Sequence, residues 1–148
     1  MTGFGEVFHF ATPTEVTPGV TLPVVPLWLF SVLKVFAYSD RQFPRDLHDL
    51  VYVMEHYEPV DRSSRRFDFA GEVDGLTYET AGAFLLGRDV QLNASAEALN
   101  LVRGFIAQIT DEHHSVINVM LREGNRLFSD ERRQAIFQLI AAFRHGLT

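Results

Sequence analysis

The sequence predicts an α+β fold in one domain that covers residues 1–148. Two short stretches, Glu6 to Ala11 and Val20 to Val25, are rich in Val, Phe and Thr, which favour β-strands. Pro18 and Gly19 suit a turn between them. Beyond residue 25, apolar residues recur at helical spacing in six segments. The predicted architecture is therefore two strands followed by a mostly helical body of about six helices.

After the extended strands of residues 1–25, the first two helices are predicted within residues 26–57. Pro26 stands where the first helix begins, and the second runs from about Pro44 to Tyr57. A polar loop at residues 58–75 follows, and it is long enough to extend away from the helical body.

The remaining helices form a predicted bundle at residues 76–148. Thr77 begins the third helix, which ends near Val90, and its small residues Ala81 to Ala83 allow another helix to approach closely. The later helices are predicted to run from Ser95 to about Ile109, from Asp111 to Gly124, and from Ser129 to Gly146, with both serines as N-caps.

Composition excludes several classes of protein. The chain has no cysteine, so neither disulfides nor thiolate metal sites hold the fold. No apolar stretch reaches the roughly 18 residues of a membrane span, and the start lacks the basic region of a signal peptide, which together predict a cytoplasmic protein without membrane contact. The net charge of -6 opposes non-specific electrostatic attraction to nucleic acid, so any contact with a polyanion should be confined to a local cluster of arginines.

The two predicted strands need a partner. A two-stranded sheet is marginal in water, and roughly three strands, or a helical cover, are required before it is stable. We expect the strands to pack on the helices, to pair with a second chain as in a homodimer, or to be the last strands of a sheet whose earlier part is absent from this sequence.

Lys34 is the only lysine beside twelve arginines, and it stands within the apolar run Leu27 to Tyr38. On a helix with 100° per residue, Lys34 shares one stripe with Ser31, Ala37, Tyr38 and Arg41, opposite the apolar face. Two cations on one face, followed by acidic residues in the next segment, indicate a charged site at the junction of the first two helices.

Two interpretations of this charged site remain open. An anion that bridges Lys34 and Arg41 would relieve their repulsion, and a triphosphate is the obvious candidate. Alternatively, Arg41, Arg45, Asp46 and Asp49 form ordinary ion pairs, each contributing at most about 1 kcal/mol when exposed. Spacing does not decide between them.

The stretch in question reads Lys34-Val-Phe-Ala37-Tyr-Ser-Asp-Arg41-Gln-Phe-Pro-Arg45-Asp46-Leu-His-Asp49-Leu50. It resembles the Lys-x-x-Ala-x-x-x-Arg and Lys/Arg-Asp-x-x-Asp-Leu signature of bacterial predicted nucleotidyltransferases of the abortive-infection toxin type. The segment Leu22 to Leu29 and the motif Leu85 to Asp89 are similar to further parts of that family. The resemblance covers about residues 3–90.

The resemblance implies roles for individual residues. Lys34, Arg41 and Arg45 would contact the phosphates of a nucleoside triphosphate. Asp46 and Asp49 would orient these cations rather than bind metal, and Arg88 would support the same site.

The family's Mg²⁺ site comes from an upstream Gly-Ser turn and paired carboxylates, and this chain contains no Gly-Ser, Asp-x-Asp or Asp-x-Glu. Glu72-Val-Asp74 imitates the pair but follows the lysine helix. The resemblance therefore implies the C-terminal part of a nucleotidyltransferase-like fold, with the two strands as a remnant of its sheet. It predicts an inactive isolated chain that takes Mg²⁺ with the nucleotide only where the complete site is assembled.

Other polar clusters have ordinary alternatives. His48, Tyr52 and His56 recur at four-residue spacing and are expected to form a solvated face rather than a general base. Residues 111–114 supply metal-ligand types without a third spaced ligand, which favours a helix start. A solvated loop is expected for Arg62, Arg65 and Arg66, with RNA contact as the less favoured alternative, and Arg88 is expected to pair with Asp89 or to cap its helix.

The sequence leaves three functions open. The first is a nucleotidyltransferase that is completed by an N-terminal half. The second is a catalytically empty relative that binds nucleotide or a partner chain such as an antitoxin. The third is a helical interaction module without a nucleotide, for which a dimer formed through the exposed strands is one arrangement.

Overall fold

The computed structural model describes residues 9–58, 66–69, 73–121 and 129–148, and within them it has the predicted α+β architecture. The strands are β1 (Thr12–Thr17) and β2 (Val20–Val24). The helices are α1 (Leu27–Arg41), α2 (Pro44–His56), the single turn α3 (Arg66–Phe69), α4 (Tyr78–Asn93), α5 (Ala96–Ala107), α6 (Ser115–Leu121) and α7 (Asp130–Gly146). No helix in the described part of the chain combines the length and apolarity that crossing a membrane requires.

The strands form an antiparallel hairpin around the predicted turn at Pro18 and Gly19, where Gly19 has a φ of 79°. The sequence-based position of the first strand was wrong: β1 begins at Thr12, and residues 9 and 10 are helical. The two-residue turn fixes the partner of β2 as the segment that directly precedes it. The ring of Phe10 instead packs edge-on against Trp28 of α1, at 5.0 Å between centroids.

α4 and α7 pack against each other along the centre of the helical body, and α1 and α2 cover α4 from another side. The closest approach is between Gly87 and Gly146. A Cβ atom on Gly87 would lie 2.2 Å from the carbonyl oxygen of Phe143, and one on Gly146 would lie 2.1 Å from that of Phe84. Both helices therefore need glycine at this crossing.

The predicted close approach at Ala81 to Ala83 has a different occupant. A Cβ atom on Gly82 would lie 2.8 Å from the guanidinium of Arg66 and 3.0 Å from the carbonyl oxygen of Tyr57. The small residue therefore makes room for an arginine side chain and a helix end rather than for the side of another helix.

Helix starts follow the predicted caps with one exception. Thr77 forms a capping box with Thr80, and the hydroxyl groups of Ser95 and Ser129 accept hydrogen bonds from the first turns of α5 and α7. Asp111 does not start a helix, because its carboxylate accepts from the backbone N–H of His113 in a turn. α6 begins later, at Ser115, and its predicted end at Gly124 lies outside the described residues.

Several arginines have a structural role at the ends of helices. Among the described arginines, three donate to backbone carbonyl groups at or just beyond the C-terminal ends of helices: Arg66 to Glu55 and Tyr57 at the end of α2, Arg144 to Ile106 and Ile109 at the end of α5, and Arg103 to Leu147 after α7. A planar guanidinium can satisfy two such acceptors at once, which an ammonium on a single stem does less well. The expectation that Arg66 is solvated was wrong, because it is buried in this role.

Candidate functional site

Asp46 is the centre of the charged site at the junction of α1 and α2. Its side chain is only 1% exposed, and both carboxylate oxygens accept hydrogen bonds. Arg41 donates from Nε to Oδ2 at 2.9 Å and from Nη2 to Oδ1 at 2.7 Å, and Lys34 Nζ donates to Oδ1 at 3.3 Å. The two cations of the first helix therefore converge on one buried carboxylate.

Asp49 completes what we call the Asp46 cluster, which consists of Lys34, Arg41, Asp46 and Asp49. Its Oδ2 lies 2.6 Å from Lys34 Nζ on the solvent side. Lys34 is 18% exposed, whereas Asp49 is 34% and Arg41 48% exposed. Two positive and two negative groups make the cluster formally neutral, with Arg41 and Asp49 facing water.

Local sequence brings these groups together. α1 ends at Arg41, and Gln42 takes the left-handed conformation with a φ of 56°, donating its backbone N–H to the carbonyl oxygen of Tyr38. Pro44 then starts α2, so that Asp46 lies in the first turn, where the helix dipole favours a carboxylate. The junction is short enough for Arg41 to reach Asp46 directly.

The hydrogen bonds from Arg41 lower the pKa of Asp46 below its ordinary value, with a further contribution from Lys34, although burial acts in the opposite direction. The same hydrogen bond from Arg41 to Asp46 raises the pKa of Arg41. Asp46 therefore remains a carboxylate at neutral pH despite its burial.

The stripe predicted to be polar faces the protein along much of its length. Ser31 is buried and donates its hydroxyl hydrogen to the carbonyl oxygen of Leu27. Tyr38 is buried and packs edge-on against Phe105, at 5.9 Å between ring centroids. The helical wheel gave the wrong environment here because α1 contacts α2, α4 and α5 and is therefore covered on more than one side.

The other predicted site residues lie apart from these contacts. Arg45 is exposed, and within the described residues it forms no ion pair. Arg88 is also exposed, and its guanidinium carbon lies 5.5 Å from the ring centroid of Phe69. Asp89 accepts a hydrogen bond from the hydroxyl group of Tyr57.

The remaining candidate clusters have structural partners. His48 Nε2 lies 2.9 Å from the carbonyl oxygen of Val119, and His56 stacks on the exposed ring of Tyr52 at 4.3 Å. In the described part of the chain, no group of three or more His, Cys, Asp and Glu side chains is arranged to hold a metal ion. Arg62 and Arg65 lie outside the described residues.

The Asp46 cluster does not fit Mg²⁺. Both oxygens of Asp46 accept hydrogen bonds from cations, and Asp49 is paired with Lys34, so the two carboxylates already have positively charged partners. A divalent cation beside Lys34 and Arg41 would also be repelled. The arrangement instead holds two cationic side chains in fixed positions at a partly exposed surface.

Sequence reasoning missed an uncharged cleft near the same end of α1. It lies between the C-terminal part of α1, α5 and the start of α6, and Gln42 and Gly104 are among its lining residues. The single local signal for it is a glycine in the interior of α5.

Comparison of the chain with known protein families, with curated proteins and with solved structures found no match.

Proposed function

We propose that the protein binds the phosphate chain of a nucleoside triphosphate at the Asp46 cluster, as the helical part of a nucleotidyltransferase-like fold. The observation that carries this proposal is the convergence of Lys34 and Arg41 on the buried Asp46. A carboxylate that fixes two cations lowers the entropic cost of presenting them together to an anion.

Arg41 is the residue best placed to meet a phosphate. Its Nε and Nη2 atoms are held by Asp46, while almost half of the side chain remains exposed to solvent. The exposed side chain of Arg45 follows four residues later at the start of α2. A guanidinium has five N–H donors, so Arg41 can bind an anion without releasing Asp46.

Lys34 joins the phosphate site by exchanging partners. Its contact with Asp49 lies on the solvent side, and Asp49 is more exposed than Lys34. A phosphate oxygen can replace that carboxylate, whereas the buried Asp46 keeps its hold on the ammonium. Asp49 therefore competes with the ligand, and Asp46 orients the cations.

The proposed activity is binding without nucleotidyl transfer. The sequence has no Asp-x-Asp or Asp-x-Glu pair, its Glu72-Val-Asp74 pair follows the lysine helix, and Asp46 and Asp49 already have cationic partners. Any Mg²⁺ at this site arrives as part of the metal–nucleotide complex. Transfer would require metal ligands from outside the Asp46 cluster.

Calorimetric titration tests the proposal. The wild-type chain is titrated with the Mg²⁺ complexes of ATP, GTP, CTP and UTP, and with inorganic triphosphate. Loss of one charge-assisted contact lowers affinity by about tenfold or more, so we expect this loss in Arg41→Gln. Asp49→Asn should bind several-fold more tightly, because the competing carboxylate is removed.

Arg132→Gln is the matched control. Arg132 is a comparably exposed arginine that forms an ion pair with Glu55 elsewhere on the surface, so its loss should leave the affinity unchanged. The proposal fails if the wild-type chain binds neither nucleotides nor triphosphate. It also fails if Arg41→Gln and Arg132→Gln weaken binding equally.

A second candidate function is self-association through the hairpin. Val20, Leu22 and Val24 alternate along β2 and are 44–50% exposed, and Val16 on β1 is 50% exposed. Both hairpin strands are exposed throughout, and their extensive contact is with each other. Such an apolar face, together with two strand edges that have no partner strand among the described residues, is typical of an interaction surface.

The occupant that we propose for this surface is a second copy of the chain. Glu15 is the one ionisable residue between Thr12 and Val24, so charge repulsion between two hairpins related by a twofold axis is limited to this one pair of side chains. Sedimentation of wild type and Leu22→Glu tests this: the wild type should dimerise and the variant should remain monomeric. A monomeric wild type at high concentration would contradict this function.

A further inference from the structure

The uncharged cleft has a volume of about 630 Å³. Small-molecule sites commonly occupy about 300–1,000 Å³. The polar side chains that line the cleft are those of Ser39, Gln42, Asn100, Gln108, His114 and Ser115. Although 22% of the chain is charged, the described lining contains no Asp, Glu, Lys or Arg. The cleft therefore suits a group that forms hydrogen bonds but carries no charge.

The cleft offers both acceptors and donors. Gln42 and Gln108 donate from Nε2 to carbonyl oxygens of their own chain segments, which leaves each amide oxygen as an acceptor. His114 Nδ1 accepts from the backbone N–H of Val116 at 3.2 Å, which leaves Nε2 as the ring nitrogen available to a ligand. A ligand with donors and acceptors along one edge matches this set.

Gly104 lies on an open part of the cleft wall. It lies in the interior of α5, where glycine lowers helix stability relative to alanine. A Cβ atom there would meet nothing within 4 Å, whereas the helical glycines 82, 87 and 146 each face close neighbours. Packing within the described residues does not require glycine at this position, and a side chain longer than a methyl group would reduce the open space of the cleft.

We propose that the cleft binds the base of a nucleotide whose phosphates lie at the Asp46 cluster. A nucleobase is uncharged and planar, and it has donors and acceptors along its edge. Its apolar faces would contact the part of the wall formed by Tyr38 and Phe105. Gln42 directly follows Arg41, so the cleft and the cluster lie at the same end of α1. The inference rests on the proposed function for the phosphate half of the ligand alone.

The test fills the cleft without touching the charged residues. Gly104→Leu places a side chain in the open space, and Gly104→Ala is the matched control with a single methyl group. We expect Gly104→Leu to lower the affinity for the four nucleoside triphosphates at least tenfold, with the affinity for inorganic triphosphate unchanged. Gly104→Ala should stay within about threefold of wild type for both. Thermal unfolding of both variants verifies that they fold.

Nucleosides without phosphate separate this inference from the proposed function. At millimolar concentration they should shift the side-chain amide resonances of Asn100 and Gln108 in wild type but not in Gly104→Leu. The cleft inference stands alone if nucleosides cause these shifts while triphosphate does not bind. It is overturned if Gly104→Leu binds nucleoside triphosphates like wild type, or if nucleosides leave these resonances unmoved.

Discussion

The crossing of α4 and α7 gives the sharpest prediction about stability. Gly87→Ala adds a Cβ atom 2.2 Å from the carbonyl oxygen of Phe143 and 3.1 Å from the Cα atom of Gly146. Even close C···O contacts in proteins are about 3.3 Å or longer, so the helices must separate by roughly 1 Å. Both obstacles are backbone atoms, which cannot move away by changing rotamer.

The expected loss of stability in Gly87→Ala follows from two opposing effects. Overpacking a core costs about 1–3 kcal/mol or more, and a backbone obstacle favours the upper end of that range. Replacing a helical glycine by alanine returns about 1 kcal/mol. We expect Gly87→Ala to lose about 2 kcal/mol of unfolding free energy and roughly 6 °C in Tm.

Urea unfolding followed by circular dichroism measures this loss, with equal m-values as a check on two-state behaviour. Gly104→Ala is the control, because its Cβ atom enters open space. It should gain about 0.5–1 kcal/mol from helix propensity alone. A Gly87→Ala variant as stable as wild type, or a shift of the urea midpoint in the same direction in both variants, would refute the predicted backbone clash.

Three further predictions concern individual side chains. The pKa of Asp46 is lower in the folded state than in the unfolded state. Its contribution to the free energy of unfolding is therefore fully present above the unfolded-state pKa of about 3.9, and it is lost as the pH falls through the folded-state pKa. Asp46→Asn should therefore be less stable than wild type at pH 7, with the difference in urea midpoint shrinking below about pH 4; a constant difference would contradict this. Arg66→Met leaves two carbonyl groups without their donor and should cost about 2 kcal/mol by urea unfolding, against less than about 1 kcal/mol for the exposed pair in Arg132→Met. Equal losses of stability in the two arginine variants would contradict the role of Arg66 at the end of α2. Ser129→Ala removes the N-cap of α7 and should lower stability by about 1 kcal/mol in thermal unfolding, and an unchanged Tm would argue against that cap.

Helix starts were predictable where their determinants are local. Thr77, Ser95 and Ser129 each bond to a residue three positions later, so the pattern is contained in four residues. The position of β1 was not predictable in this way, because the contact of Phe10 with Trp28 joins residues 18 positions apart. Strand-forming composition alone extended the strand too far toward the start.

The charged site was predictable in part for the same reason. Lys34 and Arg41 meet Asp46 across one short junction, and helical spacing already placed the two cations on one face. The burial of Tyr38 depends on Phe105 in another helix, which the wheel of α1 does not contain. The uncharged cleft is formed by residues of three separate elements, so Gly104 was the single indication of it in the sequence.

The separation of the hairpin from the helical body affects how the molecule opens. β1 and β2 share few contacts with the helices, whereas α4 lies between several of them. The cross-strand amide hydrogens can therefore exchange with deuterated solvent through a local opening that leaves the core intact. Those of α4, which are buried beneath α7, exchange through far larger openings. We therefore expect the hairpin to open as a separate cooperative unit.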